Sequence, residues 1–230
     1  MQALILAAGL GARMRPLFLN TPKTMIDING KPFLYYLLDH LRKNGIGEIV
    51  LGTGFLAGAI KNYFGKGEMF GVNVKYSEGH LPMGTAGEIK LAEPYLKDRF
   101  FVINGDTYMP ENYQNVLEFH DKKKALATLV VSRPLGKGAV GGKVTFEKGG
   151  LVRDFEEQAA KDRPNWINSG LYRFEKEILK FIPKGKRISL ENEIFPILAN
   201  MKRLYAYKSK KNFVDVGTPE SYIQAVKVLT

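Results

Sequence analysis

The chain has 230 residues, 34 Lys and Arg against 23 Asp and Glu, three His and no Cys, giving a formal charge of +11. A 45% hydrophobic content over that length suits one α/β domain with a real core and excludes intrinsic disorder. Without cysteine there is no disulfide scaffold, thiolate metal site or cysteine nucleophile. The start, Met1 to Gly9, carries no basic leader, and no apolar run reaches the roughly 18 residues that a membrane-spanning helix needs, so a cytoplasmic protein with no membrane partner is expected.

Apolar β-type segments alternate with helical periodicity through the first half, the pattern of a mostly parallel sheet covered by helices. Ala3 to Ala8 reads as a buried strand, and Pro32 to Asn44 as a helix opened by proline and closed by Gly45. Glu48 to Leu51 is a strand, Leu56 to Phe64 a short helix, Val72 to Tyr76 a strand, Thr85 to Leu96 a helix, and Arg99 to Ile103 an apolar strand ending in Asn104, Gly105 and Asp106. Beyond the Leu126 to Ser132 strand glycines cluster, and Gly149-Gly150 predicts a hairpin between Val144 to Phe146 and Leu151 to Phe155. Ile167 to Phe174 and Leu204 to Tyr207 read as strands, Leu190 to Asn200 and Pro219 to Leu229 as helices. With no repeat or low-complexity linker, one domain over 1–230 is expected, with lobes at about 1–132 and about 133–230, the second more antiparallel.

The strongest local signal is the glycine-bearing turn after the first strand, Ala8, Gly9, Leu10, Gly11, Ala12, Arg13, Met14 and Arg15. Backbone N–H groups can approach an anion closely there and the arginines add charge-assisted contacts, so a phosphate is the natural ligand. The dinucleotide fingerprint fails at Met14, and the Walker pattern is absent. Pro22 stiffens the presentation of Lys23. Gly84, Thr85, Ala86 and Gly87 form a second small-residue loop, fit either for a base or ribose or for an ordinary helix entry. Asp106 ends a strand where open α/β sheets place ligands and could hold Mg²⁺; Asp215 ends a second short apolar strand. His40, His80 and His120 share no metal-ligand spacing, and no Gly-x-Ser-x-Gly elbow exists. The lysine runs at 122–124 and 208–211 lack any helix-turn-helix or RNP context and read as solvated surface, so no nucleic-acid partner is expected.

Taken in order, Ala8 to Arg13, Pro22-Lys23, Gly84 to Gly87, Gly105-Asp106, Asn168-Ser169-Gly170 and Phe213 to Gly217 resemble the sugar-1-phosphate nucleotidylyltransferase family. The likeness runs to about Tyr222. Short length and the stretch Asn104 to Tyr108 look most like the D-glycero-α-D-manno-heptose 1-phosphate guanylyltransferase group, and less closely like the short uridylyl- and thymidylyltransferases. The resemblance implies a single Rossmann-like, GT-A-like domain with a mixed sheet, no appended left-handed β-helix, and the conversion of an NTP and a sugar 1-phosphate into an NDP-sugar and pyrophosphate. It implies Mg²⁺ on Asp106 and Asp215, phosphate contacts from Ala8, Gly9, Gly11, Arg13 and Lys23, and a nucleoside bordered by Gly84, Thr85 and Gly87. It further implies sugar-phosphate contacts from Gly142, Glu156, Asn168 and Asp215, with Arg13, Lys23 and Asp106 as the catalytic set, and it allows a homo-oligomer.

Gln158 stands where relatives carry a lysine on the sugar phosphate, which leaves Lys161 or Arg163 to supply the charge, or a weaker hold. A phosphocholine-type cytidylyltransferase and a non-catalytic nucleotide-sugar binding module are the competing readings.

Overall fold

The structure, a computed structural model, describes residues 1–9, 21–54, 56–133, 141–157 and 166–229. The first strand, β1 (Gln2–Leu6), is followed by the short antiparallel pair β2 (Asp27–Ile28) and β3 (Lys31–Pro32) and by helix α1 (Phe33–Lys43). Next come β4 (Glu48–Thr53), α2 (Ala57–Phe64), β5 (Asn73–Glu78), α3 (Gly84–Leu91), β6 (Arg99–Asn104), β7 (Thr107–Tyr108), α4 (Tyr113–Lys123) and β8 (Ala127–Ser132). The remainder comprises β9 (Lys143–Phe146), β10 (Val152–Glu156), β11 (Ile167–Glu175), α5 (Phe195–Asn200), β12 (Leu204–Lys208), β13 (Val214–Asp215) and α6 (Pro219–Val228).

Nine strands form one mixed sheet. From one edge, β5, β4, β1 and β6 run parallel. Strand β11 then pairs antiparallel with both β6 and β8, β12 lies parallel to β8, and the β9–β10 hairpin joins the start of β11 through Ile167 and Lys143. The expected mixed α/β class is what the chain adopts. Because β11 opposes both β6 and β8, the carboxyl ends of β1, β6, β8 and β12 all reach the same edge of the sheet.

Strand alternation sends successive side chains to opposite faces. In β1, Leu4 and Leu6 join a core packed by α3, α5, Tyr172, Phe174 and Phe195, whereas Ala3 and Ile5 join one packed by α1, α2, α4 and α6. Both faces of β6 are likewise buried, Phe100 and Val102 on one and Phe101 and Ile103 on the other. Two-sided burial is why these strands read as continuous apolar runs.

Three elements differ from the sequence reading. Helix α4 went unread: Asn112 caps it by accepting the Gln114 N–H at 2.9 Å, and its buried stripe is only Tyr113, Val116 and His120 among polar residues. The Thr85 to Leu96 helix ends at Leu91, and Pro94 sits in a separate 3₁₀ turn, Glu93–Tyr95. The Leu190 to Asn200 helix opens as a π-type turn, Leu190–Ile194, directly ahead of Pro196, which has no N–H for a regular ladder.

Candidate nucleotide and sugar-phosphate site

Chain order places β4 and β5 on one side of β1 and then crosses to β6 on the other, so the sheet has its switch point between β1 and β6. Ligands of open α/β sheets bind outside the carboxyl ends of strands at such a point. Two adjoining cavities lie there. The first, about 170 Å³, is lined by Leu6, Ala7, Gly9, Lys23, Thr24, Thr85, Glu88, Asn104, Gly105 and Asp106. The second, about 220 Å³, shares Thr85, Asn104 and Asp106 with it and extends to Gly141, Gly142, Glu157, Asn168, Glu191, Phe213 and Asp215.

Asp106 stands where the cavities meet. Lys23, in the 3₁₀ turn Lys23–Met25 behind Pro22, donates to its Oδ2 at 2.5 Å, and Thr107 Oγ1 donates to Oδ1 at 3.1 Å. Burial pushes the Asp106 carboxyl up, but the Lys23 ammonium and these hydrogen bonds outweigh it and hold the pKa below the ordinary carboxylate value. Gly105 fits directly beside β1, its N–H donating to Leu6 O at 2.9 Å; a Cβ there would lie 2.5 Å from that oxygen.

Asp215, distant in sequence, arrives through a two-stranded ladder. Strands β13 and β7 pair antiparallel with Asp215 opposite Thr107, and the Val216 N–H donates to Asp106 O at 2.9 Å. Gly217 N and Ser221 Oγ donate to Asp215 Oδ1 at 2.7 and 2.8 Å, fixing the carboxylate at the start of α6. Both aspartates therefore face the second cavity. Among the described residues no group of three or more His, Asp or Glu forms a metal cluster. Two hard carboxylates completed by substrate phosphates and water are nonetheless what Mg²⁺ takes, so the pair fits that ion.

The small-residue stretch is the first turn of α3, the helix entry rather than a loop, and it docks on the chain at 186–190. Ala86 and Gly87 N–H groups donate to Ile188 O at 3.0 and 3.2 Å, and a Cβ on Gly87 would lie 2.8 Å from Lys186 O. The side-chain faces of Gly84 and Gly87 are thus turned to backbone, while Thr85 faces both cavities. Thr85 Oγ1 donates to Glu191 Oε2 at 2.6 Å and accepts the Leu190 N–H at 2.8 Å.

In the second cavity Asn168 Oδ1 accepts the Gly170 N–H at 3.1 Å, its Nδ2 donates to Tyr172 Oη at 2.7 Å, and its own N–H donates to Gly142 O at 2.8 Å. The register of β11 against β8 shifts between Asn168 and Tyr172, and this irregularity turns Asn168 to the cavity. Glu156 is not brought there: it is exposed, opposite Lys143 in the β9–β10 ladder. Its neighbour Glu157 lines the cavity instead, and burial together with the nearby Glu191 carboxylate pushes its pKa up to about 7. Gly11, Arg13, Gln158, Lys161 and Arg163 lie outside the described residues.

Glu88, Glu157, Glu191, Thr24 and Asn104 line the cavities without having been assigned from sequence. Glu88 directly follows the small-residue loop, which is the signal that would have found it. Asn104 Oδ1 and Thr24 Oγ1 are buried with no hydrogen-bond partner among the described residues. Unsatisfied buried acceptors and hydroxyls that line a cleft suit a ligand bearing hydroxyl or amide groups. The histidines are elsewhere: His40 bonds the Glu111 carbonyl oxygen, and His120 is buried between Thr128 and Glu175.

A switch-point cleft lined by Gly9, with a lysine–aspartate pair and a second aspartate beside it, is what an α/β protein that handles phosphates needs. The chain belongs to the Nucleotidyl transferase family, whose profile matches residues 2–230, so the resemblance drawn from the motifs holds. It is 34% identical to D-glycero-alpha-D-manno-heptose 1-phosphate guanylyltransferase of Campylobacter jejuni, over 96% of this chain and 97% of that one. It is 33% identical to UTP–glucose-1-phosphate uridylyltransferase of Synechocystis (99% of this chain, 63% of that protein), and 34% identical to mannose-1-phosphate guanylyltransferase of Mycobacterium tuberculosis (96% and 62%). The chain thus spans about three fifths of the length of these last two. Among solved structures, HddC from Yersinia pseudotuberculosis, also crystallised with GMP-PN, superposes with a TM-score of 0.86 at 30% identity, covering 100% of this chain and 99% of that one. No described helix is long and apolar enough to cross a membrane.

Proposed function

We propose that this chain is a Mg²⁺-dependent sugar-1-phosphate nucleotidylyltransferase, with GTP and D-glycero-α-D-manno-heptose 1-phosphate as substrates, acting in the cytoplasm as one domain of two lobes. The observation that carries the reaction class is the convergence of Lys23, Asp106 and Asp215 at the junction of two cavities. One cavity takes the nucleotide and the other the sugar phosphate. The choice of substrates is supported by likeness to the Campylobacter protein and to the Yersinia structure, the latter also crystallised with GMP-PN. Uridylyl transfer to a hexose 1-phosphate is the second reading, supported by the Synechocystis relative.

A sugar phosphate oxygen is itself a nucleophile, so the reaction needs no covalent intermediate. It needs two anions aligned in line and the charge on the transferred and departing phosphates neutralised. Lys23, held against Asp106, supplies a fixed positive charge at the junction, and Gly9, Gly11 and Arg13, following Ala8, supply N–H groups and a guanidinium for the departing pyrophosphate. Thr85, Gly84 and Gly87 border the nucleoside. Gly142, Asn168 and Glu157 line the sugar side. Asp106 and Asp215 would hold Mg²⁺, which when bound neutralises phosphate charge and orients the phosphates.

The test is Mn²⁺ binding, read by electron paramagnetic resonance, in the presence of a non-hydrolysable GTP analogue. Tight binding in the parent chain that is lost in both Asp106→Asn and Asp215→Asn is expected. Undiminished Mn²⁺ binding in both variants would sink the assignment.

A further inference from the structure

Glu88, on α3, reaches back beneath the turn that leaves β1. Its Oε1 accepts the Ala8 N–H at 3.2 Å, and the carboxyl lines the first cavity with Lys23 and Asp106. Room for it comes from β4: a Cβ on Gly52 would clash with Glu88 Oε1 and lie 3.0 Å from Cδ and Cγ. The Ala7 N–H donates to Gly52 O at 2.8 Å, so the same glycine both holds the turn and leaves space for the carboxyl. Among the described residues few charged groups face Glu88. Ala7 to Gly9 after β1 and the carboxyl end of β4, Gly52 and Thr53, bring none; the Lys23–Met25 turn brings Lys23, already paired with Asp106 beyond the end of β6; and Lys90 on α3 pairs with Glu93. No described cation forms an ion pair with Glu88.

We propose that Glu88 is a positioning residue for the nucleotide, its neutral carboxyl fixing the Ala8 amide at the root of the glycine turn, and that its ionisation weakens nucleotide binding. This deepens the proposed function and rests on the nucleotide occupying the first cavity. Burial pushes the Glu88 pKa up to about 8 against the opposing pull of the Ala8 and Ala7 N–H groups, so the group is uncharged at neutral pH. Above that pH it places a negative charge in a cavity that must accept a polyphosphate. A terminal phosphate sheds its last proton near pH ~6, about two units below this change.

The experiment is titration calorimetry of a non-hydrolysable GTP analogue with Mg²⁺ from pH 7 to 9.5, on the parent chain, Glu88→Gln and Gly52→Ala. In parallel, thermal midpoints of the unliganded proteins are followed over the same range. For the parent, the dissociation constant is expected to rise roughly tenfold between pH 7.5 and 9.5, following one ionisation near pH 8. Glutamine keeps an acceptor oxygen for Ala8 but cannot ionise, so Glu88→Gln flattens that profile and also removes the fall in the unliganded midpoint through pH 8. Gly52→Ala displaces the carboxyl and weakens binding several-fold at pH 7.

A binding profile that rises equally in the parent and in Glu88→Gln overturns the proposal, as does a flat parental profile. Loss of all nucleotide binding by the parent at pH 7 overturns the proposed function and this inference together, a result distinguishable from either of the others.

Discussion

Gly170 is a position at which a single methyl group should damage the site. Its φ is +70°, and a Cβ would lie 2.9 Å from Asn104 Nδ2, 3.0 Å from Asn104 Cβ and 3.1 Å from Asn104 Cγ. An L-residue in the left-handed region costs ~1–2 kcal/mol. Forcing a methyl into a packed interior adds ~1–3 kcal/mol. Lower entropy in the unfolded chain returns ~0.4–1 kcal/mol, leaving a net loss of ~1–4.6 kcal/mol for Gly170→Ala. Asn104 cannot yield at its root, because β6 pairs it with Leu6 of β1 on one side while its neighbour Ile103 pairs with Leu171 of β11 on the other. Urea unfolding with matched slopes reads the loss as a lowered midpoint, and ΔΔG below ~0.5 kcal/mol would refute the reasoning. Asn104→Ala removes two of the three contacts. The double variant should therefore recover part of the Gly170→Ala loss, with a coupling of ~1 kcal/mol or more. Since Asn104 lines both cavities, kcat/KM of Gly170→Ala should also fall.

Lys23→Ala and Asp106→Asn should each lose ~10²-fold or more in turnover while far-ultraviolet circular dichroism stays that of the parent, the scale set by removal of one preorganised charge contact. Near-normal turnover in both would contradict the assignment. Glu157, raised to about 7 by burial and by Glu191, keeps a proton in the folded state that the unfolded chain has already released. Stability should therefore fall as pH rises from about 4.5 to 7 and level off beyond, and Glu157→Gln should remove that slope in thermal melts at a series of pH values. Thr85→Val strands the Leu190 N–H and removes a donor from Glu191, so a loss of ~1–3 kcal/mol in urea unfolding is expected. An unchanged midpoint would show that the 186–190 segment is held by other contacts.

Much of the parallel half of the sheet was legible because β1, β4 and β6 are buried on both faces and leave uninterrupted apolar runs in the sequence. The Asp106 position was legible for the same reason: it follows directly on such a run. Helix α4 was not, since its buried stripe is only three residues wide and a lysine run masks its end. Asp215 could be named from its motif but not placed. Only the β7–β13 ladder and the Val216 bond to Asp106 bring it across the chain. Glu156 follows from the motif resemblance, whereas the cavity takes Glu157, the next residue along, because one step along a strand reverses the face. Glu88 was missed because a carboxylate on a helix reads as solvated surface unless the vacancy at Gly52, 36 residues earlier, is known.

The measurement that bears most directly on the account is product stoichiometry in a matrix of GTP, UTP, dTTP, CTP and ATP against heptose, mannose and glucose 1-phosphates and phosphocholine, with Mg²⁺ and with a chelator. The account predicts one pyrophosphate released for each NDP-sugar formed, only with metal, and fastest with GTP and the heptose phosphate. Release of orthophosphate or nucleoside monophosphate without NDP-sugar, or turnover that ignores the chelator, would contradict it.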